Sequence, residues 1–325
     1  MQSDLCYLEK LRLEEGAETC RAAFEQVYRK NRMQASSLVN DSRLTFPTLY
    51  LLHSSLEPKT RSMNLNLRNR RLIYILGEMK RDSSGNKKIP ILTKKDPNTR
   101  NILLWTVKTG CRYDGDDTYD MVLDTFCCIL FQTYQLSDAL PYAEHMLFTR
   151  NRQGKNIHDL TWACFQLHNA EVLRHMAEHL QANDPLEREL ACELLDTDHI
   201  CPHDRDKQAK YEHYRQWLDE NDGYLYFTEE NLLFSRHPRI FDVDEDRKFL
   251  QRSPRDYEKL AAQNLPQQEK HHLEELHRLP AEDRRCLCRY SHRMRRKDQN
   301  AWSKWMQCPM NEKLNAARQE QEDKV

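Results

Sequence analysis

His175, Glu178 and His179 stand in the run His175-Met176-Ala177-Glu178-His179. On a helix, two histidines four apart share a face one turn apart. Both rings can then reach one zinc ion, and Glu178 sits beside the metal as a general base for bound water. A second group of soft ligands is His199-Ile200-Cys201-Pro202-His203, with Cys192 a turn or two before it. A third is Cys286, Cys288, His292 and Cys308, in which Cys288 and His292 are i, i+4 while Cys286 points elsewhere. The paired Cys-x-x-Cys spacing of a structural zinc clip is missing from both cysteine sets. The plainer reading is preferred throughout: a charged helix face with two solvated histidines at 175–179, and a polar loop holding one buried cysteine at 199–203. No catalytic residue, metal or cofactor is expected, and His175, Glu178 and His179 are the candidate ligands should a metal bind.

A different chemistry is written in the C-terminal region. Between Arg278 and Lys304, the cations Arg284, Arg285, Arg289, Arg293, Arg295, Arg296 and Lys297 cluster with few acids, and Tyr290, Trp302 and Trp305 interleave. Such cations contact phosphates with release of counterions, and aromatics can stack on bases. The same row suits docking onto an acidic protein surface. The acidic loop CRYDGDDT, with Asp114, Asp116, Asp117 and Asp120, invites calcium, but no Glu follows at the twelfth position of an EF-hand. A solvated loop and the N-cap of the next helix are expected there. No Ser-His-Asp or Cys-His arrangement is readable, because such residues meet in space and not in sequence.

The elements that must position these residues are helical. From Asn156 to Leu195, Leu160, Ala163, Cys164 and Leu167 fall at i, i+3, i+4, i+7. Val172, Met176, Ala177 and Leu180 form a second face, and Leu190, Ala191, Leu194 and Leu195 a third. That spacing predicts short amphipathic helices packed side by side. Asn156 or Asp159 caps the first and Asn169 the second, and Asp184-Pro185 starts the third. There is an internal echo: Ala143-Glu144-His145 recurs as Ala177-Glu178-His179, and Ala163-Cys164 as Ala191-Cys192.

Several stretches resemble known families. DLTWACFQLHNAEVL, from Asp159, and NILLWTVKTG, from Asn101, resemble ankyrin repeats, although the glycine before the second helix is absent from the former. DPLERELACELL, from Asp184, resembles the second helix of a HEAT repeat. These resemblances imply an α-helical repeat with a long surface for gripping a protein partner. The His-x-x-Glu-His pattern is similar to the motif of inverzincin zinc peptidases. That likeness implies a downstream Glu as third ligand, for which Glu258 lies at about the right distance. Ala143–Phe148, AEHMLF, is also similar to the sequence around that family's motif, with Pro141 where its first His would stand. GYLYFTEENLLF at 223–234 reads as two short strands about a Glu-Glu-Asn turn, and resembles the wing hairpin of winged-helix DNA-binding domains, with Asn231 in place of the turn glycine.

Elsewhere, residues 4–32 read as helices with Cys20, Phe24, Val27 and Tyr28 on one face, and Phe46-Pro47 marks a break. The apolar runs Leu72–Met79 and Ile89–Leu92 flank a polar Gly85-Asn86 turn, which predicts a β-hairpin. Asp96-Pro97 opens a helix ending at Gly110, a C-cap position. The apolar helix Tyr119–Tyr134 is expected in the core. A helix from about Asp206 to Leu218 comes next, then an irregular polar segment at 235–254, then short helices divided by Pro266 and Pro280. The organisation expected is N-terminal helices at 1–60, a hairpin insertion at 61–95, a central repeat-like core at 96–220, a hairpin and irregular segment at 221–252 and charged C-terminal helices at 253–325.

Composition bounds the function. The net charge of −1 selects neither nucleic acid nor an anionic membrane, and no apolar run approaches a bilayer-spanning length. The seven glycines are too dispersed for a phosphate-cradling loop or a nucleophile elbow, which argues against P-loop, Rossmann and α/β-hydrolase chemistry. The N-terminus lacks the apolar core of a signal peptide and the eleven cysteines read as free thiols, so an intracellular, cytoplasmic setting is expected. The fold expected is mainly α, an irregular helical bundle or short α-solenoid with one or two small β-hairpins. The function expected is a non-enzymatic protein-interaction or scaffold module, with nucleic-acid binding through the basic C-terminal helices and the wing-like hairpin as the alternative, a zinc-dependent hydrolase at 175–179 as a further one, and no membrane partner.

Overall fold

The computed structural model describes residues 5–81, 89–201, 206–228, 230, 239–252, 259–261 and 264–322. Among these residues there are nineteen α-helices and one two-stranded sheet, so the chain is mainly α with a single small antiparallel β pair. It divides into two compact units, Met1–Leu167 and His168–Val325. The division falls inside the 96–220 stretch, and the ankyrin-like segment 159–173 straddles it.

The first unit holds α1 (Tyr7–Glu15), α2 (Ala17–Lys30), α3 (Arg32–Val39), α4 (Phe46–Leu56), α5 (Leu67–Arg81), α6 (Pro90–Thr93), α7 (Pro97–Gly110), α8 (Asp117–Gln132), α9 (Leu140–Arg152) and α10 (His158–Phe165). Helix starts follow side-chain chemistry. Asp96 accepts from the backbone N–H groups of Asn98 and Thr99 with Pro97 in the first turn, Asp116 accepts from Tyr119, and Asn156 from His158. α4 packs on α2, α5 and α7, and α8 lies against α7 and α10. Its buried stripe is Tyr119, Val122, Leu123, Phe126, Cys127, Leu130 and Phe131. Met121, by contrast, is 57% exposed, so α8 is a two-faced helix and not apolar core all round.

The expected hairpin at 72–92 is corrected. Leu72 to Met79 lies within α5, where Asn69, Leu72, Ile73 and Leu76 repeat at i, i+3, i+4, i+7 and are buried. The flanking Arg, Lys and Glu residues are good helix formers, and the helical stripe buries more of the apolar run than an isolated hairpin would. The polar turn at 82–88 lies outside the described residues. Gly110 does end α7, but its φ is not left-handed. A Cβ there would stand 2.7 Å from the Tyr119 hydroxyl and 2.9 Å from Phe46 Cδ1, so glycine is required for close approach.

The second unit holds α11 (Ala170–Glu178), α12 (Pro185–Leu194), α13 (Thr197–Ile200), α14 (Lys207–Asn221), β1 (Leu225–Phe227), β2 (Phe241–Val243), α15 (Glu245–Leu250), α16 (Gln267–His277), α17 (Ala281–Lys297), α18 (Gln299–Met306) and α19 (Met310–Glu322). Asn169, Asp184, Asp206 and Asp298 cap α11, α12, α14 and α18. The first strand of the wing-like hairpin forms as β1, but its partner is β2, with Tyr226 opposite Asp242. The second strand expected at 231–234 lies outside the described residues. Nor is 235–254 wholly irregular, since it supplies β2 and α15, the latter capped by Asp244 accepting from Arg247 N. α17 packs on α15, α18 and α19 around Phe249, Leu273, Leu276, Leu287 and Trp305.

Candidate functional site

The His175–His179 turn ends α11, and its groups are drawn to different neighbours. The Glu178 carboxylate accepts from the Tyr211 hydroxyl of α14 at 2.8 Å, and His179 Nδ1 meets Glu187 Oε1 of α12 at 2.5 Å. Glu258, the third ligand implied by the inverzincin likeness, lies outside the described residues. Among the described residues no group of three His, Cys, Asp or Glu side chains is placed to hold a metal ion.

The cysteine sets are likewise dispersed. Cys201 is buried, and His203 lies outside the described residues. Cys192 lines a separate cavity of about 650 Å³ between α12, α13 and α14, where Lys210 Nζ comes within 4.0 Å of its sulfur. Cys288 is buried and donates to the Glu245 carbonyl, whereas His292 takes the Tyr224 hydroxyl at 3.1 Å. All eleven cysteines are free, and burial pushes the Cys128 thiol up to about 12 and Cys127, Cys164 and Cys288 well above the ordinary range. Those four are packing groups, not poised thiolates.

Three of the carboxylates of the 114–120 loop are already engaged. Asp116 is the N-cap of α8, Lys155 reaches Asp114 at 2.5 Å, and Arg150 bridges Asp120 at 3.2 Å and Asp124 at 2.7 Å. Asp114 and Asp120 are thereby neutralised by cations, and Asp116 is engaged by backbone.

The C-terminal basic residues separate into two sets. Arg284 pairs with Glu245 at 2.7 Å, Arg293 lies 3.9 Å from Glu320, and Arg295 donates to the Gln251 carbonyl while covering the Trp302 ring at 4.7 Å. Arg285, Arg289 and Arg296 continue one face of α17, with Lys297 beside them. Arg285 donates to the Ala281 carbonyl and approaches His199 at 3.4 Å. Among the described residues Arg289, Arg296 and Lys297 have no carboxylate within 4.0 Å. The aromatics face inward: Trp305 is buried against Phe249 and Tyr290, and the Trp302 indole N–H donates to Ser291 Oγ at 2.9 Å.

Two features were invisible in the sequence. One is a buried polar cluster beside that arginine face. Lys248 of α15 is 2% exposed, donates to Asn221 Oδ1 at 2.6 Å and stands 6.0 Å from the Tyr224 ring centre; the Tyr224 hydroxyl bonds Gln251 and His292. Burial, with Arg289 and Arg293 nearby, brings Lys248 down to about 8. The only hint was Asp244 before Glu245-Asp246, a capped acidic first turn within a stretch read as irregular. The other is an apolar cavity of about 330 Å³ in the first unit, formed by α4, α5, α6 and α8. Its residues come from four separate helices, so no local motif marks it.

Comparison with protein-family models, with curated proteins and with solved structures finds no match for this chain.

Proposed function

We propose that the chain is a non-enzymatic protein-interaction module that grips an acidic partner through the outer face of α17. The observation that carries this reading is the row of cations at Arg285, Arg289, Arg296 and Lys297, three of them without a carboxylate among the described residues, beside aromatics packed inward. An array of unpaired guanidinium groups is matched by carboxylates presented by another surface, through bidentate hydrogen bonds. Eleven free thiols support a reducing, cytoplasmic setting. The test is native low-salt purification of the full chain and of the double variant Arg289→Glu, Arg296→Glu. A stoichiometric acidic protein that accompanies the parent and leaves the variant is the expected result. Equal recovery by both would overturn it.

The same row favours phosphate contact as a second reading, because guanidinium pairs with phosphate as readily as with carboxylate. Inward-facing Trp302 and Trp305 remove the base-stacking element from it, leaving sequence-blind backbone contact. Nuclease-sensitive material in the parent, lost steeply between low and moderate salt and absent from the double variant, would establish this reading in place of the first.

A further inference from the structure

The cavity in the first unit has an apolar interior and an unsatisfied polar edge. Leu76 and Met79 of α5, Leu92 of α6, and Val122 and Ile129 of α8 line it. On α8 the lining runs from Thr118 to Ile129, about 16 Å of helix at ~1.5 Å per residue. Tyr50 and Lys80 line the same space, with the Lys80 ammonium 5.9 Å from the Tyr50 ring centre.

These two are donors without acceptors. Among the described residues neither the Lys80 ammonium nor the Tyr50 hydroxyl has a hydrogen-bond or ion-pair partner. The acids nearby on α5 and at the end of α4 are already occupied. Arg81 takes Glu57 at 2.5 Å and Glu78 at 2.7 Å, leaving the neighbouring Lys80 unneutralised. Burial, then Asp116, pushes Tyr50 up to about 12, so its phenol remains a neutral donor in ordinary buffers. Asp116 itself is spent as the N-cap of α8.

We propose that this cavity binds a free alkyl carboxylate of medium length, with its chain among Leu76, Met79, Leu92, Val122 and Ile129 and its carboxylate at Lys80 and Tyr50. The Lys80 cation and the neutral Tyr50 phenol at the edge select an anionic head over an ammonium. The apolar lining selects an aliphatic body. The volume lies at the small end for ligand pockets, which excludes long acyl chains and large polycyclic bodies. Exposed Lys80 supplies a weak, solvent-screened attraction, and the chain supplies most of the affinity.

Calorimetric titration of the full chain with octanoate, decanoate and dodecanoate, below their micellar range, tests this. Saturable one-to-one binding is expected, tightening about fourfold per added methylene until the cavity is full. Decylammonium should bind at least about tenfold more weakly than decanoate. Lys80→Glu should weaken decanoate and strengthen decylammonium. Thr125→Trp, which projects an indole into the cavity, should abolish binding at an unchanged melting temperature. If that variant unfolds, Met79→Trp replaces it. Absence of saturable binding, equal affinity for the two head groups, or full binding by a folded cavity-filling variant would each overturn the proposal.

Discussion

Each unit buries cations, and they are held in two ways: among carboxylates, as Arg150 is and as Arg247 is beside Asp244 at 3.8 Å in the second unit, or among neutral groups. In the first, Arg150 of α9 is 4% exposed and lies between two carboxylates of α8, Asp120 and Asp124. In the second, Lys248 is equally buried, yet its hydrogen-bond partner is a neutral amide, Asn221, and the pull of the nearby Glu220 carboxylate is opposed by the cations Arg289 and Arg293. Lys313 of α19 is similar, fully buried beside His272 at 3.3 Å and 5.8 Å from the Phe249 ring centre. A charge set among opposite charges ties two helices together, although burial still pushes Asp124 up to about 6. A charge matched by dipoles and ring faces keeps its proton less firmly. The first arrangement serves rigidity, whereas the second leaves a base that titrates close to neutrality next to the arginine face.

Breaking the matched arrangement has the largest expected effect. Arg150→Ala strands Asp124 at the α8–α9 contact, leaves Asp120 to Lys155 alone, and should cost about 3 kcal/mol or more in chemical denaturation, with faster hydrogen exchange in α8 and α9. A loss below about 1 kcal/mol would mean that the pair is not buried in solution. Gly110→Ala acts where α7 meets α8, forcing a methyl against the fully buried Tyr119 and Phe46. A destabilisation of about 1–3 kcal/mol is expected from thermal unfolding.

The unmatched arrangement predicts the opposite response. Lys248→Met removes a charge that burial penalises, so its stability at pH 7 should stay within about 1 kcal/mol of the parent or exceed it. The pH dependence has a definite sign. Folded Lys248 releases its proton near pH 8, while an unfolded lysine holds it to about pH 10.4. Between those values the unfolded chain binds more protons, so stability should rise with pH across that window. Denaturation midpoints of parent and Lys248→Met at pH 7, 8, 9 and 10 would show whether the rise disappears with the lysine. The smallest effect is at the surface: Arg252→Ala breaks an exposed pair with Glu269 and should cost no more than about 1 kcal/mol in the same assay, with less lost at high salt.

Local chemistry made much of the fold legible. Asp96-Pro97 and Asp184-Pro185 begin helices as expected, Asn169 and Asp206 cap theirs, and Pro266 and Pro280 precede α16 and α17. The cluster of cations between Arg278 and Lys304 was readable too, but which of them share a side of α17 follows from the bounds of that helix. Leu72–Met79 was misread because a short apolar run fits a strand and a buried helix equally, and neighbours decide between them. The strand at 225–227 was readable, but its partner at 241–243 was not, because pairing is a contact across the intervening chain.

By itself, then, the sequence determined what neighbouring residues dictate: a glycine-poor, mainly helical chain, its caps and breaks, and a cluster of cations between Arg278 and Lys304. Tertiary structure decided what depends on residues distant in the chain. It turned Trp302 and Trp305 inward, placed Arg150 between two acids and Lys248 against an amide, and assembled Tyr50, Lys80 and Ile129 around one cavity. The physical reason is that backbone propensity acts over one or two turns, whereas burial, charge pairing and cavities are properties of faces that meet only once helices pack.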